Sequence, residues 1–477
     1  MEKYTVTFLP GKETVTVSVG ETLLQAQIQA GLRPDAPCGG KGTCGKCQVW
    51  VDGQELLACQ TPVTGDMTVY TKKEEDTRIL THGIAVQTRP DGTDDYVLAF
   101  DVGTTTVVAY LLNGHTGEMI SQSSCLNPQG RYGADVISRI QYVLDEGAED
   151  MAECIRDTMR RLTQQAAQNA GITPEQITAH CVVGNTAMHH LLLKIDPKPL
   201  VTPPYMPAVF EAMELEHGTR ILPNIAGFVG ADTVSCMVAT RFDQLEDLTL
   251  LIDIGTNGEM VLGNRNRRIA CSTAAGPAFE GAKISCGMRG AAGAVDHVTV
   301  ENGEICYHVI GDTEPAGLCG SGLLDLVAAL LDTGVLDESG YLEDKTYTLC
   351  DNVTLTQKDI REVQLAKAAI RAGIELLCEA LNVQVEDIQK VCLAGAFGNY
   401  MDPRSACRIG MIPKVLLDRI ESIGNAAGEG AKLCVLSRRE FDYSKQLAKH
   451  TEFLELASLP QFQDRYVDAL EFEEEEE

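Results

Sequence analysis

Four cysteines near the N-terminus constrain this chain more than any other feature: Cys38, Cys44, Cys47 and Cys59, spaced C-x5-C-x2-C-x11-C within PCGGKGTCGKCQVWVDGQELLAC. Three of them share one short loop with Gly39, Gly40, Gly42 and Gly45. A loop that turns three thiols inward must bend repeatedly, and glycine enters left-handed backbone without a steric penalty. Four thiolates from such a loop and a following turn suit a 2Fe–2S cluster, whose potential the nearby N–H groups tune. Zinc is the alternative chemistry. A structural zinc site usually draws on two close cysteine pairs, and here only Cys44 and Cys47 form one.

The flanking sequence reads as a small sheet crossed by a helix. Tyr4 to Leu9 and Thr14 to Val19 alternate as strands about Pro10-Gly11-Lys12. Glu21 to Ala30 places Leu23, Leu24 and Ile28 on one helical face and stops at Gly31. Gln48 to Val51 and Met67 to Thr71 supply further short strands. With the cysteine loop at its edge, this arrangement resembles the β-grasp of plant-type ferredoxins. The short spacing to the fourth cysteine is similar to that of ferredoxin domains fused to larger enzymes.

A chain of 477 residues has room for two to four domains. Residues 1–72 read as the ferredoxin-like domain, and the charged, Pro- and Gly-bearing stretch 73–95 reads as a linker. Residues 96–465 form the large remainder, and 466–477 read as a frayed acidic tail. Lys plus Arg number 39 against 68 Asp plus Glu, a net charge of −29 that repels phosphate backbones and argues against a nucleic-acid partner. No apolar run reaches membrane-spanning length and no secretory leader is evident, so a cytoplasmic location and no membrane partner are expected. In that compartment the 17 cysteines read as thiols, not disulfides, and point towards an anaerobic source.

The second strong signal is an internal repeat. Val97 to Leu112 reads VLAFDVGTTTVVAYLL and Leu248 to Leu262 reads LTLLIDIGTNGEMVL. Each copy is an apolar strand, an Asp-x-Gly-Thr turn and a second apolar strand. The turns Asp101-Val102-Gly103-Thr104-Thr105 and Asp253-Ile254-Gly255-Thr256-Asn257 can close their N–H and hydroxyl donors on phosphate oxygens. Aspartates cannot hold a phosphate directly, so Asp101 and Asp253 are expected to bind Mg²⁺ or orient an attacking water. No Walker A sequence is present.

The paired turns resemble the two phosphate loops of the actin, sugar kinase and heat-shock chaperone ATPase superfamily, in which two similar α/β lobes clamp ATP. The fold class implied is multi-domain α/β: a β-grasp 2Fe–2S domain followed by a two-lobed, RNase H-like ATPase domain. VCLAGAFGN, Val391 to Asn399, is similar to the superfamily's adenosine-packing turn, which assigns Gly395, Ala396 and Phe397 to the nucleoside. Gly276-Pro277-Ala278-Phe279-Glu280-Gly281 and Gly317-Leu318-Cys319-Gly320-Ser321-Gly322 read as glycine turns running into helices, natural anion sites, so Gly276, Glu280, Gly320 and Ser321 join the ATP set. Val182 to Thr186 resembles the first connection between lobes, and Gly281 and Lys283 fall where ribose is expected. His189 and His190 read as core residues, Cys286 and Cys319 as small residues in turns, and Asp232 equally as cleft floor or helix N-terminal carboxylate.

Ferredoxin and ATPase parts together, with STAAGPAFEGAKISCGM, GLCGSGLLD and LAGAFGNYMD, resemble the reductive activators of corrinoid proteins over nearly the whole chain. The resemblance implies electron transfer from a 2Fe–2S cluster to a Co(II) corrinoid protein of a methyltransferase system, regenerating Co(I) with ATP and Mg²⁺. It also implies a low-potential donor such as a ferredoxin or flavodoxin, and a homodimer. Larger members carry an extra domain where this chain has only its linker. Two other readings of the residues stand beside it: a small-molecule kinase with a redox domain, and a nucleotide-switched, redox-sensing interaction protein.

Overall fold

In the computed structural model the described residues are 3–473 except 33, 35, 37, 38, 43, 44, 72–78, 85, 86, 256 and 282, with backbone alone for His217 and Pro277. The N-terminal strands are β1 (Lys3–Leu9), β2 (Glu13–Ser18), β3 (Gln48–Val51), β4 (Gln54–Leu57) and β5 (Met67–Thr71), in the order β2-β1-β5-β3-β4. β1 runs antiparallel to β2 and parallel to β5, the β-grasp pairing. The crossing helix Leu23–Gln29 starts where Thr22 and Gln25 form a reciprocal capping box, satisfying N–H groups that a helix start leaves unpaired. Its Leu23 and Ala26 pack with Val6, Phe8, Val49 and Val69 in one buried cluster.

The large remainder holds two sheets of one plan. The first contains β6 (Tyr96–Val102), β7 (Thr106–Asn113), β8 (Met119–Leu126), β9 (Ile177–Gly184), β10 (Met213–Leu215) and β11 (Thr219–Ile221), ordered β10-β11-β9-β6-β7-β8. In the second lobe, β12 (Thr249–Ile254), β13 (Gly258–Gly263) and β14 (Arg268–Thr273) precede an outer sheet of β15 (Ala294–Glu301), β16 (Glu304–Val309) and β17 (Gly317–Leu318). A hairpin of β18 (Thr346–Cys350) and β19 (Val353–Thr356) follows. Then β20 (Lys390–Ala394), β21 (Ile420–Gly424) and β22 (Glu452–Phe453) complete the order β21-β20-β12-β13-β14-β22. Each main sheet is an antiparallel meander, β6-β7-β8 or β12-β13-β14, with a parallel strand, β9 or β20, against its first member. The repeat seen in the sequence is thus a repeat of architecture.

Between the sheets lie the helices Ala231–Thr240 and Ala426–Leu436, sharing one buried cluster with Ala99 and Tyr110 from one sheet and Leu251 and Val261 from the other. They approach so closely that a Cβ on Gly430 would stand 2.0 Å from the Ser235 carbonyl oxygen. Ser235 Oγ also donates to Ala427 O at 2.6 Å. The first sheet ends at Ile221 and the second begins at Thr249, so the chain passes between lobes across that interval. Val182 to Thr186, expected as the inter-lobe connection, instead closes β9 and caps the helix Thr186–Leu193 within the first lobe, with Asn185 accepting from Met188 N.

Two further expectations change. The described part of the 73–95 stretch is strapped to the lobes. Ile84 N donates to Ile423 O at 3.1 Å, Asn425 N to His82 O at 2.9 Å, and Thr88 Oγ1 to Glu440 at 2.8 Å. Residues 466–473 do not form a free tail, because Phe472 is 3% exposed and belongs to the second lobe's core. Lys367, 1% exposed, donates to the Glu471 carbonyl, and Arg371 pairs with Glu473 at 2.6 Å. An apolar ring, one buried cation and one half-buried cation hold a segment whose acidic composition alone suggested fraying. Among the described residues no helix is long and apolar enough to cross a membrane. Phe472→Ala is expected to cost about 3 kcal/mol, read as a lower midpoint of thermal unfolding with the cluster absorbance unchanged.

Candidate functional site

The cluster loop has the backbone its glycines foretold. Gly39, Gly40, Gly42 and Gly45 all lie in the left-handed region, with φ of +61°, +85°, +73° and +67°. A Cβ on Gly42 would stand 1.9 Å from Gln60 Nε2, so the loop also needs the missing side chain for space. Cys47 is buried, and Cys59 is half-buried in the turn Ala58–Gln60 after β4. Ala58 N donates to Cys47 O at 2.7 Å and ties the two segments together. Two thiols beside consecutive left-handed turns fit an iron–sulfur cluster. Cys38 and Cys44, the other two expected ligands, lie outside the described residues.

Between the lobes lies a cleft of about 300 Å³. Its lining includes Asp101, Gly103, Thr104 and Thr105 from the first turn and Asp253, Gly255 and Asn257 from the second. Glu280, Gly320, Ser321, Gly395, Ala396 and Phe397 also line it. Nearly all the residues singled out in the sequence therefore meet in one place. Thr256 lies outside the described residues, and Gly276, at φ +77°, is not part of the lining. Pro277–Glu280 is a single 3₁₀ turn that does not continue into a helix, unlike Gly320–Asp332, whose N-terminus opens on the cleft. Lys283 pairs with Glu362 at 3.4 Å, away from the lining.

The first turn is held from below. Asn127 donates from its backbone to Thr105 O and from its side chain to Gly103 O, both at 2.8 Å. Arg139, 1% exposed, donates to Thr104 O at 2.7 Å, and Asn185 donates to Thr104 Oγ1 at 2.9 Å. Burial lowers the Arg139 guanidinium to about 10, which leaves it cationic at neutral pH. A fixed positive charge under the turn favours an anion above it. Across the cleft, Thr105 Oγ1 donates to Glu280 at 3.3 Å, linking the lobes.

The floor is acidic. Register pairs Asp101 with Val108 and Val183, and Asp253 with Glu259 and Ala394, so the two aspartates hold equivalent positions in the two sheets. Burial pushes the Asp101 carboxyl up to about 6, tempered by Asn425 Nδ2, which donates to it at 2.8 Å. Burial, reinforced by the charges of Asp232 and Asp101, pushes Asp253 up to about 7. Asp232 is pushed up to about 6 by burial, against the Thr233 N–H that donates to it at 2.7 Å. It opens the helix Ala231–Thr240 and also lines the cleft, so both readings of it hold. Glu259 is raised well above the usual carboxylate range by burial and by Asp232 and Asp253. A Cβ on Gly395, at φ +80°, would stand 2.4 Å from Asp253 Oδ1, so glycine there makes room for the carboxylate. Phe397 stacks on Phe279 with ring centroids 4.7 Å apart, giving the cleft an aromatic wall.

No group of three or more His, Cys, Asp or Glu side chains is gathered for a metal among the described residues. His189 and His190 are buried core residues: His190 bonds Thr186 O and Ala208 N, and burial lowers His189 to about 4. Asn127, Arg139 and Asn425 carried no motif in the sequence. Asn185 stood within the VVGNT string, which was read for its resemblance to a connection and not for its side chain.

Three family models match in succession: a 2Fe–2S iron–sulfur cluster binding domain over residues 6–64, the RACo middle region over 96–245, and the C-terminal domain of RACo, the ASKHA domain, over 247–477. The chain is similar to the corrinoid activation enzyme RamQ of Eubacterium limosum, at 32% identity over 96% of this chain and 97% of the relative. That alignment spans 577 positions against 477 residues here, so the relative carries sequence this chain lacks. It is also similar to the [Co(II) methylated amine-specific corrinoid protein] reductase of Methanosarcina barkeri, at 26% identity over 79% of this chain and 77% of the relative. Among solved structures it matches a reductive activator for a corrinoid, iron–sulfur protein, with a TM-score of 0.71, 29% identity and 98% of both chains covered.

Ionising Asp253 costs the folded protein, because its carboxyl titrates near 7 instead of 3.8. That cost is absent below about pH 4, where the carboxyl is protonated folded or unfolded, and complete above about pH 7. In the absence of nucleotide and divalent cation, Asp253→Asn is expected to raise the unfolding midpoint above wild type at pH 7.5. The difference should disappear towards pH 4. Gly395→Ala is expected to abolish nucleotide binding, measured by calorimetry, while the cluster spectrum persists.

Proposed function

Because the chain belongs to the family of reductive activators that fuse a 2Fe–2S ferredoxin domain to an ASKHA domain, we propose that it reduces a Co(II) corrinoid protein to Co(I) in a step driven by ATP. The observation that carries this reading is the presence in one chain of a cluster loop and of a cleft built from two equivalent Asp-x-Gly turns. The cluster, once reduced by a low-potential ferredoxin or flavodoxin, supplies one electron, and one electron converts Co(II) to Co(I). The methyltransferase system that the Co(I) protein serves is the downstream consumer of the product.

Moving that electron to a cobalt of still lower potential is uphill. ATP changes neither potential by contact. It can bias two arrangements of the protein, one of which binds the partner and alters the cobalt environment. In this reading Gly103, Thr104 and Thr105 of one lobe and Gly255, Thr256 and Asn257 of the other hold the phosphates, with Arg139 beneath the first turn. Asp101 and Asp253 hold the waters of a Mg²⁺ and orient the attacking water. Gly395, Ala396 and Phe397 face the nucleoside, and Gly320 and Ser321 offer a helix N-terminus to the anion. Because both turns contact one nucleotide, binding draws the lobes together and hydrolysis lets them part. The helices Ala231–Thr240 and Ala426–Leu436, packed at Gly430 and Ser235, form the hinge. With a net charge of −29, the surface favours a partner that presents a basic face.

The test is anaerobic. Reduced protein is mixed with a Co(II) corrinoid protein, and the cobalt spectrum is followed with and without Mg-ATP. Co(I) is expected only with nucleotide. Equal reduction without nucleotide overturns the coupling, and no reduction of any corrinoid partner overturns the function. Asp253→Asn is expected to keep the cluster spectrum and to lower ATP-dependent reduction by at least about 100-fold, the scale on which one transition-state contact acts.

A further inference from the structure

We infer that Lys46 is a latch that fastens the ferredoxin module to the second lobe beside the nucleotide cleft, and that nucleotide binding releases it. Lys46 immediately precedes the cluster cysteine Cys47. Its ammonium donates to two carbonyls of the second lobe, Gly281 O and Gly287 O, the latter at 2.9 Å. On the same loop, Gly39 lies against the first lobe, where its Cβ position is 3.8 Å from the Tyr132 carbonyl oxygen. The cluster loop is therefore bonded to the second lobe and lies close to the first.

Both contacts lead directly to the phosphate turns. Tyr132 ends the 3₁₀ turn Pro128–Arg131 that follows Asn127, and Asn127 pins Gly103 O and Thr105 O. Gly281 is joined to Glu280, which lines the cleft and accepts from Thr105 Oγ1. Gly287 is joined to Met288, which also lines the cleft. Phosphates seated on Gly103 to Thr105 compete for the Thr105 hydroxyl and repel the Glu280 carboxylate across a few ångströms. Glu280 must then withdraw, and the neighbouring carbonyl acceptors of Gly281 and Gly287 move with it. The ammonium, carried by a module that does not share this movement, loses both acceptors, so the latch opens.

Released, the ferredoxin module remains tethered through a strap fixed at His82, Ile84 and Thr88. The nucleotide state then decides whether the cluster is held beside the cleft or is free to meet a donor or acceptor. This assigns Lys46 a positioning role in the proposed reduction. It rests on that reading for its purpose but not for its test.

The test measures the distance from the reduced, paramagnetic cluster to a nitroxide carried by an unnatural amino acid at exposed Val415 of the full-length protein, by pulsed dipolar spectroscopy. Without nucleotide, wild type is expected to give one narrow distance. Mg-ADP or a non-hydrolysable Mg-ATP analogue is expected to replace it with a broad, longer distribution. Lys46→Met should be broad in both conditions with an unchanged cluster spectrum, and Lys46→Arg should restore the narrow distance. Glu280→Gln, which removes the repelled charge, should stay narrow with nucleotide bound. A narrow distance in Lys46→Met overturns the latch, and a wild-type distance indifferent to bound nucleotide overturns its release. The measurement needs no corrinoid protein. A working latch without cobalt reduction would therefore indict the proposed function, and the reverse result would indict the latch.

Discussion

The structure depends on the contact between two helices that leave no room for a side chain between them. Ala231–Thr240 and Ala426–Leu436 meet where Gly430 faces the Ser235 carbonyl, and that approach sets how near the two sheets stand. Strands β6 and β12 flank these helices, and Asp101 and Asp253 at their ends line one cleft floor. The close helix pair and the charge cluster belong to one arrangement. A bulkier residue at position 430 would push the lobes apart and separate the acids together.

The acidic floor costs the protein stability, and the surrounding structure limits the cost without cancelling it. Asn425 serves as both the cap of the second crossing helix and the donor to Asp101, so one side chain joins the hinge to the chemistry. Gly395 gives Asp253 its space. Arg139 is sunk beneath the first turn instead of beside the acids, so its charge does not neutralise the floor. Charge is kept in reserve for a ligand that brings both cation and anion.

The redox module is also fastened to the second lobe beside that cleft. Lys46 bonds the second lobe, Gly39 lies close to the first, and the strap that follows bonds Asn425. A short linker therefore does not leave the cluster far from the nucleotide; it holds the two functions together.

Much of this was legible in the residues themselves. The cysteine spacing and its four glycines specify a cluster loop, because only glycine takes the left-handed turns that turning the thiols inward demands. The doubled Asp-x-Gly-Thr turns specify two like lobes, because strand periodicity and turn chemistry are local properties that a repeat displays twice. Beyond that reach lay the burial of Phe472, the strapping of 79–95, the true position of the inter-lobe passage and the roles of Asn127, Arg139 and Asn425. Each of those depends on a partner about 20 to more than 300 residues away: Asn127 with Gly103 and Arg139 with Thr104 at the short end, Asn425 with Asp101 at the long end. Local sequence determined which turns and strands could form. Only tertiary packing decided which of their faces meet, because a long-range hydrogen bond or a missing Cβ has meaning only once its partner is in place.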